Sequence, residues 1–161
     1  GVDNSGKSTL ARMIARRLGY ALIESEGPPK YNGEMNARVE KYFGFGHRMV
    51  YARHPCVSQV IYSKMRADPN EEKVKSQFVV EFYDQGHVFV YCDPAGRRLG
   101  EHVHKEHDTL EHLAKIEENY DVLHGLYTEW ALTRANLIYR IGDSMERVVQ
   151  ACSAMVNVNR R

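Results

Sequence analysis

Cysteine is scarce in this sequence and scattered. Cys56, Cys92 and Cys152 are odd in number and form no C-x-x-C pair. That excludes a disulfide-stapled fold and reads as a reduced, intracellular chain. No apolar run approaches membrane-spanning length and no signal peptide is visible, so the expected setting is the cytoplasm, with no membrane partner. Charge of one sign is also missing: 22 Lys+Arg against 21 Asp+Glu leave a net charge of +1. This excludes the global basic field of a nucleic-acid coat, although a local patch stays open. There are no internal repeats, no low-complexity tract and no N-K-x-D-type guanine-selecting motif. The 161 residues suffice for one domain with a substantial core.

What is present is concentrated at the start. Gly1-Val2-Asp3-Asn4-Ser5-Gly6-Lys7-Ser8, followed by Thr9, satisfies the P-loop pattern G-x-x-x-x-G-K-[ST]. Gly1 and Gly6 permit backbone angles that a Cβ would forbid, so successive N–H groups from Asn4 to Thr9 can turn onto phosphate oxygens. Lys7 adds a point charge for the β- and γ-phosphates, and the Ser8 hydroxyl suits Mg²⁺. The following helix, with Leu10, Met13, Ile14, Arg17 and Leu18 at helical spacing and Gly19 as C-cap, directs its positive end at the same anion. ATP and Mg²⁺ are the cofactors this implies. A P-loop ordinarily follows a buried strand, so a short apolar strand is expected upstream of Gly1.

Further along, apolar segments alternate with helical patterns, which argues for an α/β domain with a largely parallel sheet. Strands are expected at 20–23, 49–51, 87–91 and 136–141. Helices are expected at about 34–42, 57–65 and 71–83, the last capped by Asn70. Asp93-Pro94 can open a helix. Residues 96–107 are polar, basic and rich in histidine. Asp108-x-x-Glu111 resembles a capping box before a long helix whose stripe is Leu113, Ile116, Tyr120, Leu123, Tyr127 and Trp130. Asp143-x-x-Glu146 starts a closing helix.

In open α/β sheets, ligands sit at the carboxyl ends of the strands, which singles out the residues after Ile23, Tyr51, Tyr91 and Ile141. In this order, GVDNSGKST at 1–9, SEGPP at 25–29, Arg53-His54-Pro55-x-x-Ser58 and the strand–Asp93-Pro94–arginine run resemble the thymidylate-kinase-like P-loop nucleotide kinases. The resemblance covers nearly the whole chain, and only the P-loop is highly specific. It implies a P-loop NTPase-type three-layer αβα fold over 1–161, with a five-stranded parallel sheet and a mobile lid at about 94–108. It also implies transfer of the ATP γ-phosphate to a nucleotide. EGPPKYNGE (26–34) and RHPCVSQVIY (53–62) look more like the bacteriophage kinases that phosphorylate 5-hydroxymethyluracil in DNA than like cellular thymidylate kinases.

The resemblance assigns roles residue by residue. Arg53, with lid residues Arg97 and Arg98, would supply cations to the transferring group. Glu26, His54, Ser58 and Tyr62 would face the acceptor, and Glu26 would also serve Mg²⁺-bound water alongside Ser8. Where the family motif has Asp before the arginine, this chain has Ala52, which can neither act on an acceptor hydroxyl nor hold Mg²⁺ through water; an inactivating substitution is the preferred reading, with natural degeneracy or use of another carboxylate as alternatives. Each role has a plainer alternative: a surface arginine, a packing histidine, a solvated turn acid, a helix-capping Asp93. His102, His104, His107 and His112 read as lid residues rather than a zinc site. A polymer acceptor would need cations such as Lys30, Arg38, Lys41, Arg48, Lys64 and Arg66, which are equally explained as solvated helix faces.

The function expected is therefore an ATP-dependent phosphotransferase acting on a pyrimidine deoxynucleotide. The preferred acceptor is the 5-hydroxymethyl group of 5-hydroxymethyluracil in phage DNA, in the cytoplasm of the infected host. The alternatives are a thymidylate-type monophosphate kinase and, given Ala52, a catalytically degenerate nucleotide-binding module. A homodimer is compatible with all three.

Overall fold

The computed structural model describes residues 1, 5–66, 71–96, 114 and 117–158. Their contacts group the chain into two compact units, Ala11–His87 and Gly1–Leu10 with Val88–Arg161. The helix after the P-loop, α1 (Lys7–Leu18), passes from one to the other.

In the Ala11–His87 unit, β1 (Ala21–Ile23) pairs in parallel with β2 (Met49–Tyr51), Ile23 opposite Tyr51. Parallel strands need a crossover, supplied here by α2 (Glu34–Phe43). Its buried residues include Met35, Val39 and Tyr42, a helical stripe. After β2 come α3 (Pro55–Arg66) and α4 (Ser76–Asp84), with α3 packed against both α2 and α4. Val39, Cys56, Ile61, Phe78 and Phe82 form the core here.

Helix α4 starts later than residue 71, where the periodicity places it. The buried Asn36 side chain of α2 accepts the Lys75 N–H at 2.9 Å and donates to the Lys73 carbonyl at 3.2 Å. The Glu72 carboxylate accepts from Asn36 and from the Gly33 N–H. These bonds hold 72–75 out of the helix, overriding local propensity. Asn70, the expected cap, lies outside the described residues.

In the other unit, β3 (Val90–Asp93) runs parallel to β4 (Leu137–Arg140), Asp93 opposite Arg140. Between them lies α5 (Tyr120–Arg134), and α6 (Met145–Val158) packs on β4. Leu123, Tyr127, Tyr139, Val149 and Cys152 are buried here, whereas Trp130 is only half-buried, edge-on to Phe89. Leu123 is 0% exposed, so Leu123→Ala should cost about 2–5 kcal/mol in urea unfolding.

Two further boundaries differ from expectation. The ladder of β3 begins at Val90, not at residue 87, because the Asn136 Oδ1 takes the Phe89 N–H at 2.7 Å in place of a strand partner. Asp143 does not cap α6. Its carboxylate accepts the Arg140 N–H at 3.0 Å and closes the turn, while Ser144 Oγ accepts the Arg147 N–H at 3.5 Å.

The architecture is thus α/β with parallel pairing. Among the described residues there are four strands in two two-stranded sheets, where the resemblance implies one sheet of five. Also among them, no helix is long and apolar enough to cross a membrane.

Candidate nucleotide-binding site

The P-loop is anchored by backbone contact. Gly1 lies so close to the end of β3 that a Cβ there would overlap the Cys92 carbonyl oxygen. Gly6 adopts φ +75, and a Cβ on it would also meet Tyr139 Cε1 of β4 at 3.1 Å. Glycine is thus required at Gly1 by close approach and at Gly6 by torsion as well. The Gly6 carbonyl accepts the Leu10 N–H at 3.0 Å, so α1 begins directly after Gly6. No acidic residue occupies the first turn of α1, so the positive end of the helix meets no carboxylate of its own.

Ser5 is 1% exposed, and its hydroxyl accepts from Lys7 Nζ at 3.3 Å. Ser8 and Thr9 follow on the first turn, Ser8 half-buried and Thr9 exposed. Among the described residues no group of three or more His, Cys, Asp or Glu could cage a metal. Asn4, Arg97 and Arg98 lie outside the described residues, as does the expected lid beyond Gly96.

Asp93, at the carboxyl end of β3, pairs with Arg140 Nε at 3.1 Å, and His124 Nε2 lies 3.7 Å from its other oxygen. That second oxygen also accepts the Ala95 N–H at 2.9 Å, in the Asx-turn manner, with Ala95 at φ 54. Burial works to raise the Asp93 pKa, but the Ala95 N–H, Arg140 and His124 outweigh it and hold the carboxyl below its ordinary value. Asp93 is therefore an ion-paired strand end. No sequence signal marked Arg140 or His124, because the pairing depends on the β3–β4 register.

The residues that the resemblance places at the acceptor belong to the other unit. The Ala52 N–H donates to the Ile23 carbonyl at 3.0 Å, which places position 52 at the carboxyl end of β1 and β2. Arg53 Nη1 donates to the Tyr62 hydroxyl at 3.3 Å, and its guanidinium stands 5.9 Å from that ring's centre. Arg66 approaches the same ring at 5.7 Å and forms an ion pair with Glu71, which also accepts from Gln59 at 2.6 Å. Ser58 Oγ donates to the His54 carbonyl at 3.0 Å, a use internal to α3.

Glu26 stands among cations. Arg38 Nε and Lys41 Nζ each lie 3.4 Å from its carboxylate. Arg38 is only 6% exposed, so it is not part of a solvated helix face. It also pairs with Glu34 and donates to the Gly27 carbonyl at 2.7 Å and the Pro28 carbonyl at 3.3 Å. The turn at 25–29 is therefore tied to α2 by one guanidinium, a fork geometry lysine lacks. Burial, and after it Glu26, push the Tyr42 phenol up to about 12. The Glu26 carboxylate thus joins two cations of α2 to the 25–29 turn. The i,i+4 spacing of Glu34 and Arg38 was the available signal for this clamp.

Comparison of the chain with models of known protein families, with curated proteins and with solved structures finds no match.

Proposed function

We propose that the chain is a P-loop kinase that transfers the γ-phosphate of ATP to a hydroxyl of a pyrimidine deoxynucleotide. The preferred acceptor is the 5-hydroxymethyl group of 5-hydroxymethyluracil in DNA. The observation that carries the phosphate-binding part is the loop itself. Gly1 seats against the Cys92 carbonyl, Gly6 turns at φ +75, and α1 opens on Gly6 with no acid in its first turn. Such a loop offers N–H groups, one lysine and one hydroxyl, the set a Mg²⁺-nucleotide requires. Mg²⁺, when bound with the nucleotide, would neutralise developing phosphate charge, and Ser8 is the residue suited to hold it.

The five-stranded sheet is part of the same proposal, with local support. Both strand pairs of the described residues are parallel, as such a sheet requires.

The DNA acceptor rests on the resemblance of 26–34 and 53–62, supported by guanidinium groups at both ends of α3, Arg53 before it and Arg66 in its last turn. One assay tests it. Radiolabelled ATP is offered with 5-hydroxymethyluracil DNA, unmodified DNA and deoxynucleoside monophosphates, using both this chain and its Ala52→Asp variant. Label is expected in the modified DNA alone, and the yield should fall with added salt as a backbone-tracking site requires. Label in the monophosphate pool would favour the thymidylate-type reading. Label in none of them, with nucleotide bound, would favour the degenerate module.

A further inference from the structure

His54 is 6% exposed in the middle of an aromatic cluster. Phe82 stacks on its ring at 4.0 Å and 11°. Tyr51 meets it edge-on at 5.0 Å, and Tyr42 is 5.5 Å away. The ring nevertheless has a polar task. Its Nδ1 accepts the Cys56 N–H at 3.2 Å. Pro55 is the first residue of α3, so His54 sits at the N-cap and Cys56 two residues on, where a capping side chain finds its donor. The His54 carbonyl also accepts the N–H groups of Val57 at 3.0 Å and Ser58 at 2.9 Å. An imidazole can serve as this cap only while Nδ1 carries no proton, so the bond assigns the proton to Nε2.

The surroundings leave an imidazolium without support. The groups facing the ring are Tyr42 of α2, Tyr51 of β2, Cys56 of α3, Phe82 of α4 and His87 beyond it. Carboxylates act one residue further out, Glu26 on Tyr42 and Glu81 on Cys56. His87 also packs on Phe82, at 4.6 Å, and His47 acts on His87 through its charge. Arg53 directly precedes the cap, and its guanidinium docks on Tyr62, two turns into the helix that the cap starts.

We propose that His54 is a positioning residue: its neutral imidazole caps α3 and so holds Arg53 on Tyr62, giving the acceptor-side arginine a lower pH limit. The capping part stands on geometry alone; its consequence for phosphoryl transfer rests on the kinase reading above. Burial, with a smaller contribution from His87, lowers the His54 pKa from 6.5 to about 3. The opened segment therefore binds the proton that the closed one refuses. Closure is fully favoured above about pH 6.5 and weakens as the pH falls towards 3. At pH 5 the opening equilibrium should be larger than at pH 8 by roughly thirty-fold. His87 is lowered in the same direction, first by burial and then by His47, and adds to the slope.

The experiment follows the protection factor of the Cys56 amide by hydrogen-exchange NMR on the full chain between pH 8 and 4.5. Three proteins are compared: the unaltered chain, His54→Asn and His54→Leu. Asparagine offers an acceptor near the Nδ1 position and does not titrate, whereas leucine is apolar and offers no acceptor. The unaltered chain should lose protection on acidification. His54→Asn should keep the amide protected with a much flatter profile, and the remaining slope should disappear in His54→Asn/His87→Phe. His54→Leu should lose protection about five-fold at every pH, the usual weight of one cap. Parallel profiles for the unaltered chain and His54→Asn, or undiminished protection in His54→Leu, would overturn the proposal. Should a variant fail to fold at pH 8, the unaltered chain still decides: a protection factor constant from pH 6.5 to 4.5 overturns it. In the transfer assay, acidification should raise the acceptor KM with ATP affinity unchanged, and His54→Asn should suppress that rise. A KM rise of the same size in His54→Asn would overturn the positioning role. No transfer at any pH, with the amide profile as expected, leaves the cap supported and counts against the kinase reading instead.

Discussion

Placing aspartate at position 52 is expected to raise acceptor-dependent transfer by about a hundred- to ten-thousand-fold, while ATP affinity stays nearly unchanged. Position 52 closes the β1–β2 ladder, with its N–H on the Ile23 carbonyl at 3.0 Å. A carboxylate there projects from the carboxyl end of a parallel pair, beside Arg53, where α/β proteins hold their ligands. Acting on the acceptor hydroxyl only as its proton leaves, it would raise turnover rather than nucleotide binding. Single-turnover rates for Ala52→Asp and the unaltered chain, with nucleotide titrations on both, make the comparison. A flat rate would move the role to Glu26 or Asp93. Either would first have to give up ion pairs, Glu26 with Arg38 and Lys41, Asp93 with Arg140.

Lys7→Ala should lower transfer by about a hundred- to a thousand-fold, the usual cost of removing one group aimed at developing charge. Lys7 Nζ rests on Ser5 Oγ at 3.3 Å, a hydrogen bond readily exchanged for a phosphate oxygen. Because Lys7 is only half-buried, the unfolding midpoint in urea should move little. The same radiolabel assay, run beside urea unfolding, separates the two effects. Transfer that survives in Lys7→Ala at an unchanged rate would remove the P-loop from the reaction.

The acid limit proposed for His54 and the gain expected at position 52 converge on one short stretch, residues 52–62. There a strand end, a cap and a helix decide where one guanidinium points. This is why Ser58 matters even though its hydroxyl is engaged inside α3: it reinforces the helix start that carries Arg53.

The sequence by itself determined the features whose chemistry is local. The turn at Gly6 and the helix start after it were legible because a glycine can turn at positive φ where other residues rarely do. Helices α1 and α6 were legible because one apolar stripe repeats at helical spacing. The parallel pairing followed from strands separated by helical crossovers. Tertiary structure alone decided what depends on partners distant in the chain. Arg38 became a buried clamp only because the 25–29 turn folds back onto α2. Helix α4 was shortened because Asn36 binds Lys73 and Lys75, more than thirty-five residues away. The Asp93–Arg140 pair required the register of two strands forty-seven residues apart. His54 came to rest its Nδ1 on the Cys56 N–H inside an aromatic cluster because Phe82, Tyr51 and Tyr42 close around its ring. Local torsion and periodicity are written residue by residue, but the charge state and task of a side chain are set by what surrounds it, which only the folded chain brings together.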